Sequence, residues 1–250
     1  MSRSPHKLIP AEFTAVPSLA LAAEVEVVAE FAPDLDAVAV LVSTDGDLPA
    51  GIDLDRDALA AAGFDAEPGS SLVIAQAGHP LVLVGVGEAA GLDDVRLRDA
   101  AASAARASAR KGGRIGIDVP AVSLAATAVG QVLTEGALLA RYRYSALKAT
   151  PGQVPLALLQ LKVADASATE VEAGVVTGKV TARTAAVARD LANTPPGHLT
   201  ATDIAELAVE LGEQFGFEVE SYDKQALIEM GCGGILGVNA GSEEEPRLVV

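Results

Sequence analysis

Four stretches of this sequence carry residue types whose spacing could do chemistry. The most suggestive is Leu81–Asp94, LVLVGVGEAAGLDD. Gly85, Gly87 and Ala90 match the G-x-G-x-x-A spacing of a dinucleotide fingerprint, in which small residues let the backbone approach a pyrophosphate at a helix N-terminus. Asp118, on the following strand, is the candidate for a ribose hydroxyl. It stands well beyond the ~20 residues that the fingerprint uses. Asp93 and Asp94 would also set negative charge where a phosphate should rest. A tight strand-to-helix turn accounts for the same glycines and is the preferred reading of Gly85–Gly91.

The second stretch, DLDRD, puts Asp53, Asp55 and Asp57 at the spacing of a calcium loop. Such a loop needs Gly at its sixth position and Glu at its twelfth. Ala58 and Phe64 stand there, so a solvated loop and helix cap are expected. The third, Gly231–Gly237 (GCGGILG), fails the fingerprint at Leu236 and is read as backbone crowding between a helix end and a strand. Cys232 has no second cysteine for a metal pair and no base signalled beside it. The fourth, Arg141–Lys148 (RYRYSALK), joins cations to aromatics as single-strand nucleic-acid binders do. The formal net charge of −16 repels phosphate backbones. A packed tyrosine pair flanked by solvated arginines is expected instead. His6, His79 and His198 are far apart and form no H-E-x-x-H pair, and no G-x-S-x-G elbow is present. The histidines are read as surface residues. No catalytic, metal-binding or substrate-binding residue is assigned to this chain.

The elements that would position any such residue come next. The 250 residues allow one or two domains. Half are apolar, enough for a sizeable core, but 3% are aromatic and none is Trp. The core must therefore be packed by small aliphatic side chains. A single cysteine excludes an internal disulfide framework and suits a reducing, cytoplasmic setting. Leu19–Ala23 is too short for a secretory apolar region, and Glu24 and Glu26 follow at once. Pro68–Gly87 carries no charge, yet Ala77-Gly78-His79-Pro80 interrupts it. Two short strands and a turn are expected there, not a membrane helix. Neither a membrane nor a nucleic acid is an expected partner.

Strand and helix signals alternate: strand 36–42, helix 57–62, the 68–87 hairpin, helix 93–111, strand 114–119, helix 122–140 and strand 154–163. That alternation argues for an α/β domain over residues 1–165. A long helix follows, opened by a capping box at Thr169 and Glu172 and stopped near Ala192 by NTPPG. Gly174, Gly178, Ala182 and Ala185 recur along it and would permit close packing. It reads as a connector over 166–198. From 199 to 250 a second α/β unit begins. Thr200 and Asp203 cap a helix, Phe217–Ser221 is a strand, Asp223 caps a short helix ending at Gly231, and Pro246–Val250 opens a further strand.

Two segments resemble a known family. Ala188–Ala208, ARDLANTPPGHLTATDIAELA, is similar to a hallmark of the leucyl aminopeptidase (cytosol aminopeptidase) family, the M17 metallopeptidases. In that family a connector helix ends in R-D-L-x-N-x-P before a helix opens at L-T-x-x-x-x-A. Arg189, Asp190, Leu191, Asn193, Pro195, Leu199, Thr200 and Ala205 fit. The segment beginning at Met230 resembles M-G-x-x-x-x-x-V-x-x-G-S-x-x-x-P-R through Met230, Gly231, Val238, Gly241, Ser242, Pro246 and Arg247. LVLVGVG and GALLARYRYSALK resemble weaker signposts of the N-terminal domain.

The resemblance implies a macro-domain-like N-terminal α/β domain, a long connector helix and the start of an α/β peptidase domain. It implies removal of N-terminal residues from peptides by homohexamers holding two divalent ions, manganese or zinc. Such ions polarise the scissile carbonyl and generate a hydroxide nucleophile. The family's ligands and catalytic residues lie in G-K-G-x-x-F-D-x-G-G and N-T-D-A-E-G-R-L, and neither motif occurs in this sequence. Gly178-Lys179 is followed by Val180 on the connector. Both motifs are expected beyond Val250, so this chain is expected to bind no metal and to be inactive alone. The competing expectations are a stand-alone macro-like module for a nucleotide or ADP-ribose, and a truncated subunit that still oligomerises.

Overall fold

The computed structural model describes residues 13–20, 23–76, 78–110, 112–148, 152, 154–163 and 167–250. The chain divides into two compact units, each treated by itself. One is Pro17–Arg189; the other is Asp190–Val250 with the described residues before Pro17.

The first unit is built on β1 (Glu24–Val28), β2 (Ala37–Ser43), β3 (Ser71–Ile74), β4 (Leu81–Gly87), β5 (Arg114–Asp118) and β6 (Leu158–Lys162). They form one sheet in the order β1-β6-β5-β2-β4-β3. Every pairing is parallel except the β3–β4 hairpin. The expected hairpin across 68–87 is therefore present; of its expected turn residues 77–80, residue 77 lies outside the described residues. No helix among the described residues is long and apolar enough to cross a membrane.

The central strands β2 and β4 are all-apolar runs because both of their faces are covered. Alternation sorts the side chains: Val82, Val84 and Val86 face one core, while Leu81 and Leu83 face another with Val40, Val42, Leu59 and Phe64. Leu59 belongs to α1 (Arg56–Ala61). The larger core is closed by α2 (Asp94–Ala107), α3 (Ala126–Ala140) and α4 (Ala168–Asn193). Burying ~25 cal/mol per Å² of apolar surface is what holds these layers together.

Small residues set how close the helices come. A Cβ at Gly136 on α3 would strike the Arg98 carbonyl of α2. One at Gly130 would strike the Val171 carbonyl, and one at Gly174 the Thr127 carbonyl. The recurrence of Gly174, Gly178 and Ala182 on α4 thus serves the close packing expected of it. Glu135 is locked at this crossing, accepting from Arg98 Nε (2.9 Å), Gln131 Nε2 (2.8 Å) and Thr181 Oγ1 (2.7 Å). Burial pushes its carboxyl pKa up, but the hydrogen bonds and the Arg98 charge outweigh that and hold it below the usual range.

The structure corrects several expectations. β1, EVEVV, was not foreseen. Its Glu24 and Glu26 alternate with valines on an edge strand, where charge is tolerated and blunts further pairing. α4 begins at Ala168, so Thr169 lies inside the first turn and is not the cap. α3 starts at Ala126 rather than 122, and β6 at Leu158 rather than 154, since Pro155 offers no ladder donor.

In the second unit, α5 (Ala201–Phe215) opens on the expected capping box. Asp203 N–H donates to Thr200 Oγ1, and Thr200 N–H to Asp203 Oδ2. β7 is only Ser221–Tyr222, not Phe217–Ser221, because its partner β8 is only Leu248–Val249. α6 (Lys224–Glu229) is capped by Asp223, whose carboxylate accepts the Ala226 N–H. α7 (Gly233–Asn239) occupies the glycine-rich stretch.

Candidate functional site

The Gly85–Gly91 loop is shaped by its neighbours. A Cβ at Gly85 would strike the Glu67 carbonyl and Ser70 Oγ, so this glycine admits the 66–70 segment against β4. Gly87 adopts φ +74°, which favours glycine, and donates its N–H to the Ala66 carbonyl at 2.9 Å. Gly85 N–H donates to the Ser70 carbonyl. The Ala89 N–H, which a phosphate would use, donates to Asp45 Oδ1 at 2.8 Å. Asp93 caps α2 by accepting the Arg96 N–H. Asp118, the ribose candidate, pairs with Lys162 Nζ at 3.0 Å. The Gly85, Gly87 and Ala89 N–H groups thus face protein oxygens, as a structural turn requires.

The remaining candidates separate in the same way. Asp55 caps α1 through the Ala58 N–H, and Asp57 lies in the first turn. His79 Nδ1 lies 2.8 Å from the Leu35 carbonyl. The His198 ring packs on Phe13 with centroids 5.1 Å apart. Both histidines are half-buried, and His6 lies outside the described residues. The crowding expected at Gly231–Gly237 is absent: an added Cβ at Gly231, Gly233, Gly234 or Gly237 meets nothing within 4 Å. Gly231 serves instead as the left-handed helix terminator, φ +72°. Its N–H bonds the Ile228 carbonyl and the Cys232 N–H bonds the Leu227 carbonyl, a Schellman closure.

The segments behind the family resemblance are scaffold. The Thr194 hydroxyl donates to the Asp190 carbonyl at 2.8 Å, ending α4. Pro195 accepts the His198 and Leu199 N–H groups. Asn239 Nδ2 donates to the Glu244 carbonyl, and Ser242 Oγ accepts the Glu244 N–H, closing the acidic turn. Arg247 follows, and β8 pairs antiparallel with β7. The two ions that the family implies find no fit here. Among the described residues, no three His, Cys, Asp or Glu side chains converge to hold a metal. No hydrolytic step is therefore derived from these residues.

The sequence reading of Arg141–Lys148 misplaced its first residue. Arg141 is not solvated but buried, 8% exposed, with Nη2 donating to the Gly112 carbonyl. Its Nε and Nη1 have no acceptor. Burial pushes its pKa down from the ordinary value, offset in part by the charge of Asp36. Arg143 is exposed, and the Tyr142 ring lies under the Arg189 guanidinium at 5.5 Å. Arg141 lines a cavity of about 400 Å³ between the end of α3, the 154–156 segment and α4, and its described lining residues all belong to the first unit. Nothing in the local sequence marks it, because one basic residue among aromatics reads as surface until the packing is known.

Comparison with known proteins gives a consistent picture. The profile of the cytosol aminopeptidase family, N-terminal domain, matches residues 54–151, and that of its catalytic domain matches residues 186–250. A probable cytosol aminopeptidase of Rhodococcus opacus (strain B4) is 36% identical over 174 residues, covering 68% of this chain and 33% of the relative. One from Chlorobaculum tepidum is 38% identical over 128 residues, covering 48% and 25%. This chain thus spans about a third or less of the length of these relatives. Among solved structures, the bottromycin maturation enzyme BotP in complex with Mn is 28% identical, with TM-score 0.71 over 86% of this chain and 44% of that one. A tomato leucine aminopeptidase mutant shares the fold at TM-score 0.76 and 15% identity, over 91% of this chain and 50% of that one.

Proposed function

The chain belongs to the cytosol aminopeptidase family, and from that premise we propose that it is the N-terminal portion of a two-metal leucyl aminopeptidase. The observation that carries this is the order of the two matches, N-terminal domain then catalytic domain, along one chain. The proposed division is a macro-like domain over 1–165, a connector over 166–198 and the beginning of the peptidase domain over 199–250. The whole enzyme would remove N-terminal residues from peptides in the cytoplasm as a homo-oligomer, a hexamer by family likeness. It would hold two divalent ions, manganese or zinc, and the Mn named for BotP supports this choice of metal.

In this proposal the 250 residues contribute scaffold and not chemistry. They contain neither G-K-G-x-x-F-D-x-G-G nor N-T-D-A-E-G-R-L. The test is a fusion of residues 1–250 to the part of the Rhodococcus opacus relative that follows the matched region. Hydrolysis of leucine p-nitroanilide that requires manganese is the expected result. A folded fusion with no turnover would count against the assignment.

A further inference from the structure

The cavity between the end of α3, the 154–156 segment and α4 is used by nothing proposed above. Its volume, about 400 Å³, falls within the range of small-molecule pockets, ~300–1,000 Å³. Its charge is opposite to that of the chain. The chain has 34 acidic residues against 18 basic, yet among the described residues the lining carries Arg141, Arg143, Lys179 and Arg183 and no acidic side chain. The rest of the wall is mostly aliphatic, Leu138 and Val180 among it. Arg141 is the strongest sign. The residue is more than nine-tenths buried, and its positive charge is offset only in part by Asp36. A buried cation is costly unless an opposite charge lies against it, and an anion in the cavity beside Arg141 would lower that cost.

We propose that this cavity binds a small monocarboxylate with an apolar body. The carboxylate would accept from Arg141, with the exposed cations at the rim drawing the anion in, and the aliphatic wall would take the tail. A carboxylate suits guanidinium donors through charge-assisted hydrogen bonds. An apolar body suits the wall better than a phosphate or a sugar does. The described lining residues all belong to the first unit.

The test is a titration of the isotopically labelled 250-residue chain with 4-methylpentanoate, read by backbone amide shifts. The neutral isostere 4-methylpentanamide is the control. Saturable shifts are expected at residues 138–145 and 176–186 in the millimolar range or below, with the amide at least ~10-fold weaker, a factor equal to about 1.4 kcal/mol. Arg141→Met should abolish the shifts. Because that change also removes the Gly112 contact, Ala186→Phe is the second variant: it fills the cavity while keeping every cation, and it should abolish them too. Equal binding of acid and amide, shifts elsewhere, no shifts, or full binding by a folded Ala186→Phe chain would each overturn the proposal.

Discussion

Gly174→Ala puts the packing argument at risk most simply. Gly174 faces α3, where an added methyl would strike the Thr127 carbonyl oxygen and stand 2.8 Å from both Gln131 N and the Thr127 carbonyl carbon. All three are backbone atoms, so no side chain can turn aside. Relief requires the two helices to part, loosening the contact that buries Val171 and Val175. Overpacking of this kind costs about 1–3 kcal/mol, and a backbone obstacle places it at the upper end. Replacing a mid-helix glycine by alanine returns ~1 kcal/mol. The net expectation is a loss of roughly 1–2 kcal/mol, a Tm lowered by about 2–8 °C for a chain of this size. Gly234 on α7 is the contrast, since its added Cβ meets nothing within 4 Å. Gly234→Ala should slow amide exchange along α7. Thermal unfolding followed by circular dichroism decides the matter. A Gly174→Ala chain that melts at or above the wild-type temperature would refute the reasoning.

Three further outcomes are expected. Glu135→Gln should cost about 1–3 kcal/mol at neutral pH, since three donors lose a charged acceptor. The folded pKa of Glu135 is lowered, so its contribution is present above the unfolded value and is lost as pH falls through the folded one. The gap between variant and wild type in urea titrations should therefore close below about pH 4; a gap independent of pH would contradict this. Thr200→Ala should cost about 1 kcal/mol by removing the α5 cap, read as faster amide exchange in the first turn, with no change counting against it. Calorimetry with ADP-ribose should give no heat, because the Ala89 N–H is already taken by Asp45; saturable heat would revive the nucleotide reading of Gly85–Gly91.

How legible the fold was depended on whether the cause was local. The apolar runs of β2 and β4, the Thr200–Asp203 cap and the small-residue face of α4 each show as a pattern within one stretch of sequence, and all were readable. β1 was missed because its glutamates hide a period-two pattern that only an edge position explains. β7 proved short because its length is set by β8, distant in sequence. Gly233 and Gly234 argued against helix by propensity, yet α7 forms across them. Gly85 was read as a turn residue, but its reason is the 66–70 segment pressed against it. The burial of Arg141 was illegible for a related cause. Charge predicts exposure unless a carbonyl such as that of Gly112 lies waiting inside, and only tertiary structure brings it there. No catalytic side chain was assigned from the sequence, and the described residues bring no metal-binding set together.

The central claim is that these 250 residues carry the front of an aminopeptidase without its chemistry. Its most direct test is hydrolysis of leucine p-nitroanilide by the pure 250-residue chain, with added manganese and with a chelator. The expected result is no turnover above the chelated blank in either case. Turnover by the chain itself, abolished by the chelator, would contradict it.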